Sequence, residues 1–396
     1  MRAGALPDRE LEVARLRALL RRLEATAPAA PRRPPASTFT LEPVTTAHGM
    51  ALRHVEQISM AAAVGAEEPP VAGALYLDTE TTGLAGGTGT YVFLVGLATW
   101  TGRTLSVAQY FLGDLDGEAA LLSAVAAAVA DARQLVTFNG RTFDLPLLET
   151  RYLLARAPWW GSDLAHHDLY PVARALWRGR AADCRLTTLE GALLGVERGD
   201  DLPGALVPQV YFRYLRTRDP AALPRIFAHN RWDLVALAGL HARAAALLRG
   251  PDPQHDPLEW MGAGRWLERR EPDRSARFYE AAFRAGLPAA LEARAAWRLG
   301  WLWRRAGRLA EARALWAEAV SRAASPPVRL LVDLAKLHEH HARDFGAALD
   351  VTRAALAAAE AWAAEGGTDL IAALERRARR LTRRLTAAPP VPAQPA

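Results

Sequence analysis

The run from Leu75 to Leu84 (Leu-Tyr-Leu-Asp-Thr-Glu-Thr-Thr-Gly-Leu) constrains this chain more than any other stretch. Side chains alternate along a strand, so Leu75 and Leu77 face one side, and Tyr76, Asp78 and Glu80 the other. Asp78 and Glu80 are then same-face neighbours, their Cα atoms roughly 6–7 Å apart at about 3.3 Å of rise per residue. Two carboxylates this close at the end of a buried strand repel each other. A buried pair needs a cation, a shared proton or water. A divalent metal is the simplest solution, and oxygen ligands favour Mg²⁺ or Mn²⁺ over zinc. An isolated Asp-x-Glu is more often a strand end with two solvated acids, so its company must decide.

From Gly73 the pattern is α/β. The glycine-rich turn Gly83 to Gly89 lacks the Gly-Lys-Ser/Thr of a phosphate loop and leads into a strand, which makes it a hairpin connection. Tyr91 to Trp100 and Leu105 to Leu112 read as strands, Glu118 to Asp131 as a helix, and Gln134 to Phe138 as a short strand. A three-strand meander, a helix and another strand is an order that resembles the ribonuclease H-like sheet. The last strand runs into Phe138-Asn139-Gly140-Arg141-Thr142-Phe143-Asp144, a turn that places Asp144 in the first turn of a helix reaching about Arg156. His166 to Tyr170 reads as a further strand. Its His166-His167-Asp168 cluster suggests zinc, but neighbours on a strand point opposite ways, and the zinc reading is disfavoured. Leu186 to Leu194 and Gln209 to Arg216 read as helices with a loop between them. A long helix is expected from Pro224 to Leu248. In it His229 and Asp233, at i and i+4, share a face.

At 396 residues the chain has room for two or more domains. The net charge of +6 suits an anionic partner. That signal is weak, because Lys336 is the only lysine and the abundant Arg and Ala look like the product of a GC-rich genome. Cys184 is the only cysteine, which excludes an internal disulfide and a cysteine-rich zinc site and suits a reducing compartment. The N-terminal stretch has no apolar signal core, and the longest nearly apolar run, Ala119 to Ala130, is too short to span a bilayer. A soluble, cytoplasmic protein without a membrane partner is expected.

The expected organisation has five parts. Residues 1–26 form an amphipathic helix with Val13, Leu16, Leu20 and Leu23 on one face, and 27–43 a Pro/Ala-rich linker. Residues 44–250 form the α/β domain, of which Val44 to Val71 is poorly determined beyond a strand or two. Residues 251–360 form helical repeats, and 361–396 a basic helix and disordered tail. The repeats recur at roughly 36 residues, near the tetratricopeptide period. Ser275-x-x-x-Tyr279-x-x-Ala282, Ala312-x-x-x-Trp316-x-x-Ala319 and Ala347-x-x-x-Val351-x-x-Ala354 form one series, and Leu299-Gly300-x-x-Trp303 precedes its middle member. Trp260, Trp266, Trp297 and Trp301 are expected in packing rather than in ligand stacking. Such repeats most often bind protein, and surface arginines could also hold nucleic acid. In the last helix Arg376, Arg377, Arg379, Arg380, Arg383 and Arg384 make a basic side, which either grips phosphates or is a solvated cap.

Taken singly, each acid has a bland explanation. Together and in order, Asp78 and Glu80, Asp144 after Asn-Gly-x-x-Phe, and Asp233 after His229 resemble the DEDD exonuclease superfamily. More narrowly, Leu77 to Thr90, Leu186-Thr187-Thr188-Leu189-Glu190 and His229-Asn230-x-x-Asp233 look like the YprB family. The resemblance covers about Gly73 to Leu248. It implies a ribonuclease H-like exonuclease domain followed by tetratricopeptide repeats, acting as a 3′-to-5′ exonuclease through two Mg²⁺ or Mn²⁺ ions. It also implies DNA as the favoured substrate, RNA as the alternative, a repair role, and a protein partner on the repeats, with a helicase fitting an enzyme that needs an exposed end.

By the same resemblance Asp78 bridges both metals, Glu80 and Asp233 hold the water-activating ion, Asp144 supports the second, and His229 orients or deprotonates the water. Asn139 buttresses Asp144 or the substrate, and Thr81, Thr82 and Leu84 touch the terminal nucleotide. There is one departure: the histidine stands four residues before the last Asp, the spacing usual for tyrosine, where histidine usually stands five before it. The competing class is a catalytically silent nuclease fold that recruits partners through its repeats.

Overall fold

The computed structural model describes residues 39–83, 89–199, 201–362 and 368–386. The chain divides into two units, Met1–Leu41 and Glu42–Ala396, and every described helix and strand belongs to the second. The helix expected over 1–26, most of the linker expected over 27–43 and the tail after Thr386 lie outside the described residues.

A hairpin, β1 (Glu42–Thr46) and β2 (Gly49–Ser59), comes first, then a short helix, α1 (Met60–Val64). The expected meander follows as β3 (Ala74–Thr81), β4 (Val92–Thr101) and β5 (Thr104–Phe111). After it come α2 (Glu118–Val129), β6 (Gln134–Thr137), α3 (Asp144–Leu154), β7 (Ala165–Asp168) and α4 (Leu169–Trp177). The seven strands are ordered β1-β2-β5-β4-β3-β6-β7, with β3, β6 and β7 parallel and the other pairings antiparallel. The strands from β5 to β7 are the ribonuclease H-like sheet anticipated from the sequence. The β1–β2 hairpin extends its antiparallel edge.

The chain then forms α5 (Leu186–Leu189, continued by a wide turn Glu190–Leu194), α6 (Val207–Thr217) and the long α7 (Leu223–Arg249). Tyr76, Ala98, Val107 and Val136 point from one sheet face into a core shared with Leu234, Leu237 and Leu240 of α7. Leu75 and Leu77 are buried on the opposite face. Helices α2 and α3 are tied to each other by the Tyr152 hydroxyl, which donates to the Leu122 carbonyl at 2.7 Å.

The rest is helical: α8 (Pro257–Leu267), α9 (Pro272–Arg284), α10 (Ala289–Arg305), α11 (Leu309–Arg322), α12 (Val328–Leu337), α13 (Phe345–Trp362) and α14 (Thr368–Thr386). Helices α8 to α13 pack as successive pairs. A Cβ on Gly264 would stand 2.9 Å from the Tyr279 ring, and one on Gly300 would stand 2.1 Å from Trp316. Glycine on the first helix and a large ring on the second therefore set the close approach in two consecutive repeats. The buried rows are Ser275, Tyr279, Ala282 and then Ala312, Trp316, Ala319, as the pattern predicts. In the third pair the buried row is Ala348, Thr352, Ala355, one residue later than the expected Ala347, Val351, Ala354. Helix α12 ends in a wide π-type turn, His338–Ala342, before α13 begins.

The helical region continues the core of the α/β domain. Ala263, Leu267 and Phe278 join the same cluster as Trp177 and Val235. Gly262 lies so close to α4 that a Cβ there would be 2.2 Å from the Leu176 carbonyl oxygen. Trp260, Trp266, Trp297 and Trp301 are partly buried and packed against the cores. Among the described residues no helix is long and apolar enough to cross a membrane.

Candidate active site

Asp78 and Glu80 stand near the C-terminal end of β3 on the face covered by α7. Glu80 is 9% exposed and His229 is 8% exposed. Ligand-type atoms of Glu80, His229 and Asp233 all lie within 4.8 Å of one another. The i,i+4 spacing on α7 has the effect predicted for it, and His229 Nε2 is 3.6 Å from Asp233 Oδ2.

Asp78 is held by a stack that crosses three strands. It is in register with Gly96 on β4, which is in register with Gln109 on β5. Over the bare Gly96 sits Asn230 of α7; a Cβ there would be 2.1 Å from the Asn230 side-chain oxygen. The Asn230 amide donates to Asp78 Oδ2 at 2.8 Å, and Gln109 donates to Asn230 Oδ1 at 2.8 Å.

Asp144 reaches the strand end from the start of α3 and accepts from the Thr79 hydroxyl at 2.6 Å. It stands outside the tight group of Glu80, His229 and Asp233, yet close enough for its charge to raise the pKa of both Asp78 and Glu80.

These acids are poorly neutralised. Burial, then the charges of Asp233, Glu80 and Asp144, push the Asp78 carboxyl well above the usual range, against the Asn230 hydrogen bond. Burial pushes Glu80 up to about 8, with His229 opposing and Asp233 and Asp144 adding to the rise. Burial raises Asp144 to about 6, against the Thr79 bond. Burial disfavours the His229 cation, but the Asp201 bond and the charges of Asp233 and Glu80 outweigh it and raise His229 to about 9. Buried carboxylates with oxygen donors and too little positive charge fit divalent cations.

Three further residues support the site, and two of them, Arg198 and Asp201, carry no motif of their own. Arg198, behind the site, donates to Asp233 at 2.6 Å, to Glu190 at 2.5 and 2.7 Å, and to Asp201 at 3.1 Å. Asp201 in turn lies 3.0 Å from His229 Nδ1. Glu190 ends the Leu186-Thr187-Thr188-Leu189-Glu190 motif and is buried, so the motif anchors the arginine that holds Asp233. That motif was the available signal for Glu190. Nothing local marks Asp201, which comes from a loop 28 residues before its partner.

The described residues expected at the substrate also make hydrogen bonds within the chain. The Thr81 hydroxyl donates to the Gly83 carbonyl at 3.0 Å, and the Thr82 hydroxyl accepts from the Tyr91 amide at 2.9 Å. Both shape the turn after β3. Leu84 lies outside the described residues. Asn139 adopts a left-handed φ of 66°. Its backbone N–H donates to Asp168 at 2.7 Å, and its side-chain oxygen accepts from the Thr142 hydroxyl at 2.8 Å. It therefore builds the turn before Asp144 and makes no hydrogen bond to the Asp144 carboxyl. The His166-His167-Asp168 cluster does not converge. His166 bonds Thr137, His167 faces His241, and Asp168 caps α4.

The fold and its buried acids define a ribonuclease H superfamily domain, and the family model of that description matches residues 75–245, from β3 into α7. A curated relative, the uncharacterized protein YprB of Bacillus subtilis (strain 168), is 33% identical over 294 residues, covering 71% of this chain and 68% of the relative. The chain belongs to the YprB family.

Proposed function

We propose that this protein is a metal-dependent 3′-to-5′ exonuclease that hydrolyses DNA in a repair pathway by a two-metal mechanism. The observation that carries the reading is the convergence of Glu80, His229 and Asp233, beside Asp78 and Asp144, on a ribonuclease H-like sheet. The four carboxylates would hold two Mg²⁺ or Mn²⁺ ions, with Glu80, Asp233 and Asp78 on one and Asp78 and Asp144 on the other. When bound, such ions stabilise charge on phosphoryl oxygens and acidify water.

The chain's own residues do the rest. Asp201 takes the Nδ1 side of His229, so Nε2 faces the acids and can accept a proton from an attacking water. The acids that raise His229 also keep it protonated, so their neutralisation frees Nε2 as a base. Arg198, fixed by buried Glu190, holds one oxygen of Asp233 and orients the other toward His229. Asn230 fixes Asp78 against the sheet.

Polarity, DNA and repair rest on the family resemblance. The repeats are proposed as the dock for a protein partner, a helicase fitting the need for an exposed end, and the lone Cys184 suits the cytoplasm. The test is a time course on 5′-labelled DNA and RNA, single- and double-stranded, with Mg²⁺, Mn²⁺ or EDTA, for wild type and Asp233→Ala. A metal-dependent ladder shortening from the 3′ end of DNA, absent in the variant, is the expected result. A ladder on RNA alone would make it a ribonuclease. Metal-independent cleavage, or none, would overturn the reading.

A further inference from the structure

One face of α10 carries Arg294, Trp297, Arg298, Trp301 and Arg304, spaced so that all share a side of the helix. Two cavities flank this face. One, of about 530 Å³, lies toward α12 and is lined by Trp297, Trp301, Arg304, Arg329 and Lys336. The other, of about 430 Å³, lies toward α8 and is lined by Arg265, Arg294, Arg298 and, from the end of α4, Arg178. The first helices of three consecutive repeats thus line two neighbouring cavities on either side of α10, a grooved face that the α/β domain borders at Arg178. With helix axes about 8–10 Å apart, this face spans roughly 16–20 Å from α8 to α12.

The groove is cationic beyond what its own acids balance. Arg298 pairs with Glu268 at 2.7 Å, and Lys336 with Asp333 at 3.0 Å. Among the described residues Arg178, Arg265 and Arg294 form no ion pair. Burial lowers the Arg265 pKa, as do the charges of Arg294, Arg298 and Arg178, with only Tyr279 opposing. Arg178, Arg265 and Arg294 are exposed, and like charges gathered without counter-ions make a local positive potential that attracts an anion. The indoles bear on the kind of anion. Arg329 lies over the Trp297 ring at 4.1 Å, a flat cation–aromatic surface of the kind on which bases stack while guanidiniums take phosphates.

We propose that this groove binds single-stranded nucleic acid, with Arg178, Arg265 and Arg294 on its phosphates and Trp297 and Trp301 against its bases. The choice of nucleic acid over an acidic peptide rests on the nuclease reading, while the groove and its charge do not. It is separate from the carboxylate site. Asp168 caps α4 beside Asn139, and Arg178 follows the other end of that helix, about 13 Å away along its axis at 1.5 Å per residue.

The test needs no hydrolysis. The full chain carrying Asp233→Ala is titrated with a fluorescent oligothymidylate across a salt series, in EDTA, with and without Arg178→Gln, Arg265→Gln and Arg294→Gln together. The triple variant should bind at least tenfold more weakly, with a salt slope smaller by about 2, near 0.7 per lost single-strand phosphate contact. Its melting temperature should be equal or higher, because removing mutually repelling charges does not unfold a protein; Trp301→Leu alone, away from the arginine cavity, should also weaken binding. Unchanged affinity and slope in a folded triple variant would overturn the proposal. So would an oligoglutamate peptide that loses affinity for the variant while the oligonucleotide does not. A wild-type protein that binds through these arginines but cleaves nothing would sink the nuclease reading and leave the groove standing.

Discussion

Buried acids are treated in opposite ways in the two regions of the molecule. In the helical region Glu339 is 2% exposed and takes bonds from Arg377 at 3.0 Å and Arg380 at 2.6 Å, which hold its carboxyl below the ordinary range despite its burial. Glu259, fully buried where α8 meets α4, takes bonds from Trp177 at 2.9 Å and Arg243 at 3.0 Å. At the end of β3 Glu80 is pushed up to about 8, and Asp78 higher than usual, with one asparagine and one histidine near them. A structural acid is buried with arginines that hold its charge; Asp78 and Glu80 are buried together with His229 as their one cationic neighbour, and both remain raised. The difference teaches where an external charge is expected, and it also explains the basic tail helix. Arg377 and Arg380 of α14 serve Glu339, and Arg384 lies over Phe345, so half of that helix's six arginines have internal work.

The largest effect that would sharpen this contrast is on chemistry. If the proposed reading holds, Glu80→Gln should lower the hydrolysis rate on labelled DNA by about 10³-fold or more, since a neutral amide replaces a charged candidate metal ligand. A loss under tenfold would break the contrast, making Glu80 another structural acid. Next comes Asp201→Ala, expected to reduce kcat by roughly 10- to 100-fold with KM little changed, because the imidazole loses its orientation and the substrate keeps its contacts. An equal rise in KM would instead assign Asp201 to binding.

Glu339→Gln should cost about 1.5–3 kcal/mol in urea unfolding, the usual loss when charged hydrogen bonds are removed from a buried site. A cost near zero would make those arginine pairs mere surface contacts. The smallest effect is on heat stability. The ordinary pKa of Glu80 is 4.5 and its folded value about 8, so between these the folded state binds the extra proton. Without divalent ions, stability should therefore fall as pH rises from about 4.5 to about 8, by a few degrees in Tm. Mg²⁺ should restore it at the upper end, and Glu80→Gln should flatten the slope. A Tm that rises over that range, with no response to Mg²⁺, would contradict the sign.

Much of this was legible in the residue order. The period-two run at Leu75–Leu77 marked β3 and put its acids on a common face, and the i,i+4 rule put His229 and Asp233 together. The hairpin edge was only half visible, because β2 mixes His54, Glu56 and Gln57 with apolar residues and shows no clean alternation. The third repeat's buried row stands one residue later than expected, since Ala347 and Ala354 are as small as Ala348 and Ala355 and composition does not choose between the two registers. Asn139 and Thr82 also build turns, a task the sequence did not announce, because turn-building polar residues and substrate-binding ones share the same chemistry. Arg198 and Asp201 were invisible for a different reason. Their meaning lies in a loop folded back onto α7, and no local spacing encodes that contact.

Gly96 sets the clearance of α7 over the sheet. Where any other residue would put a carbon, Asn230 lies on the sheet, and His229 and Asp233 ride on the same helix. The gap between the strand acids and the helix residues is thus gauged by a single missing methyl group. Gly96→Ala would act as a shim, lifting α7 and detuning both residues at once while every acid stayed in the sequence.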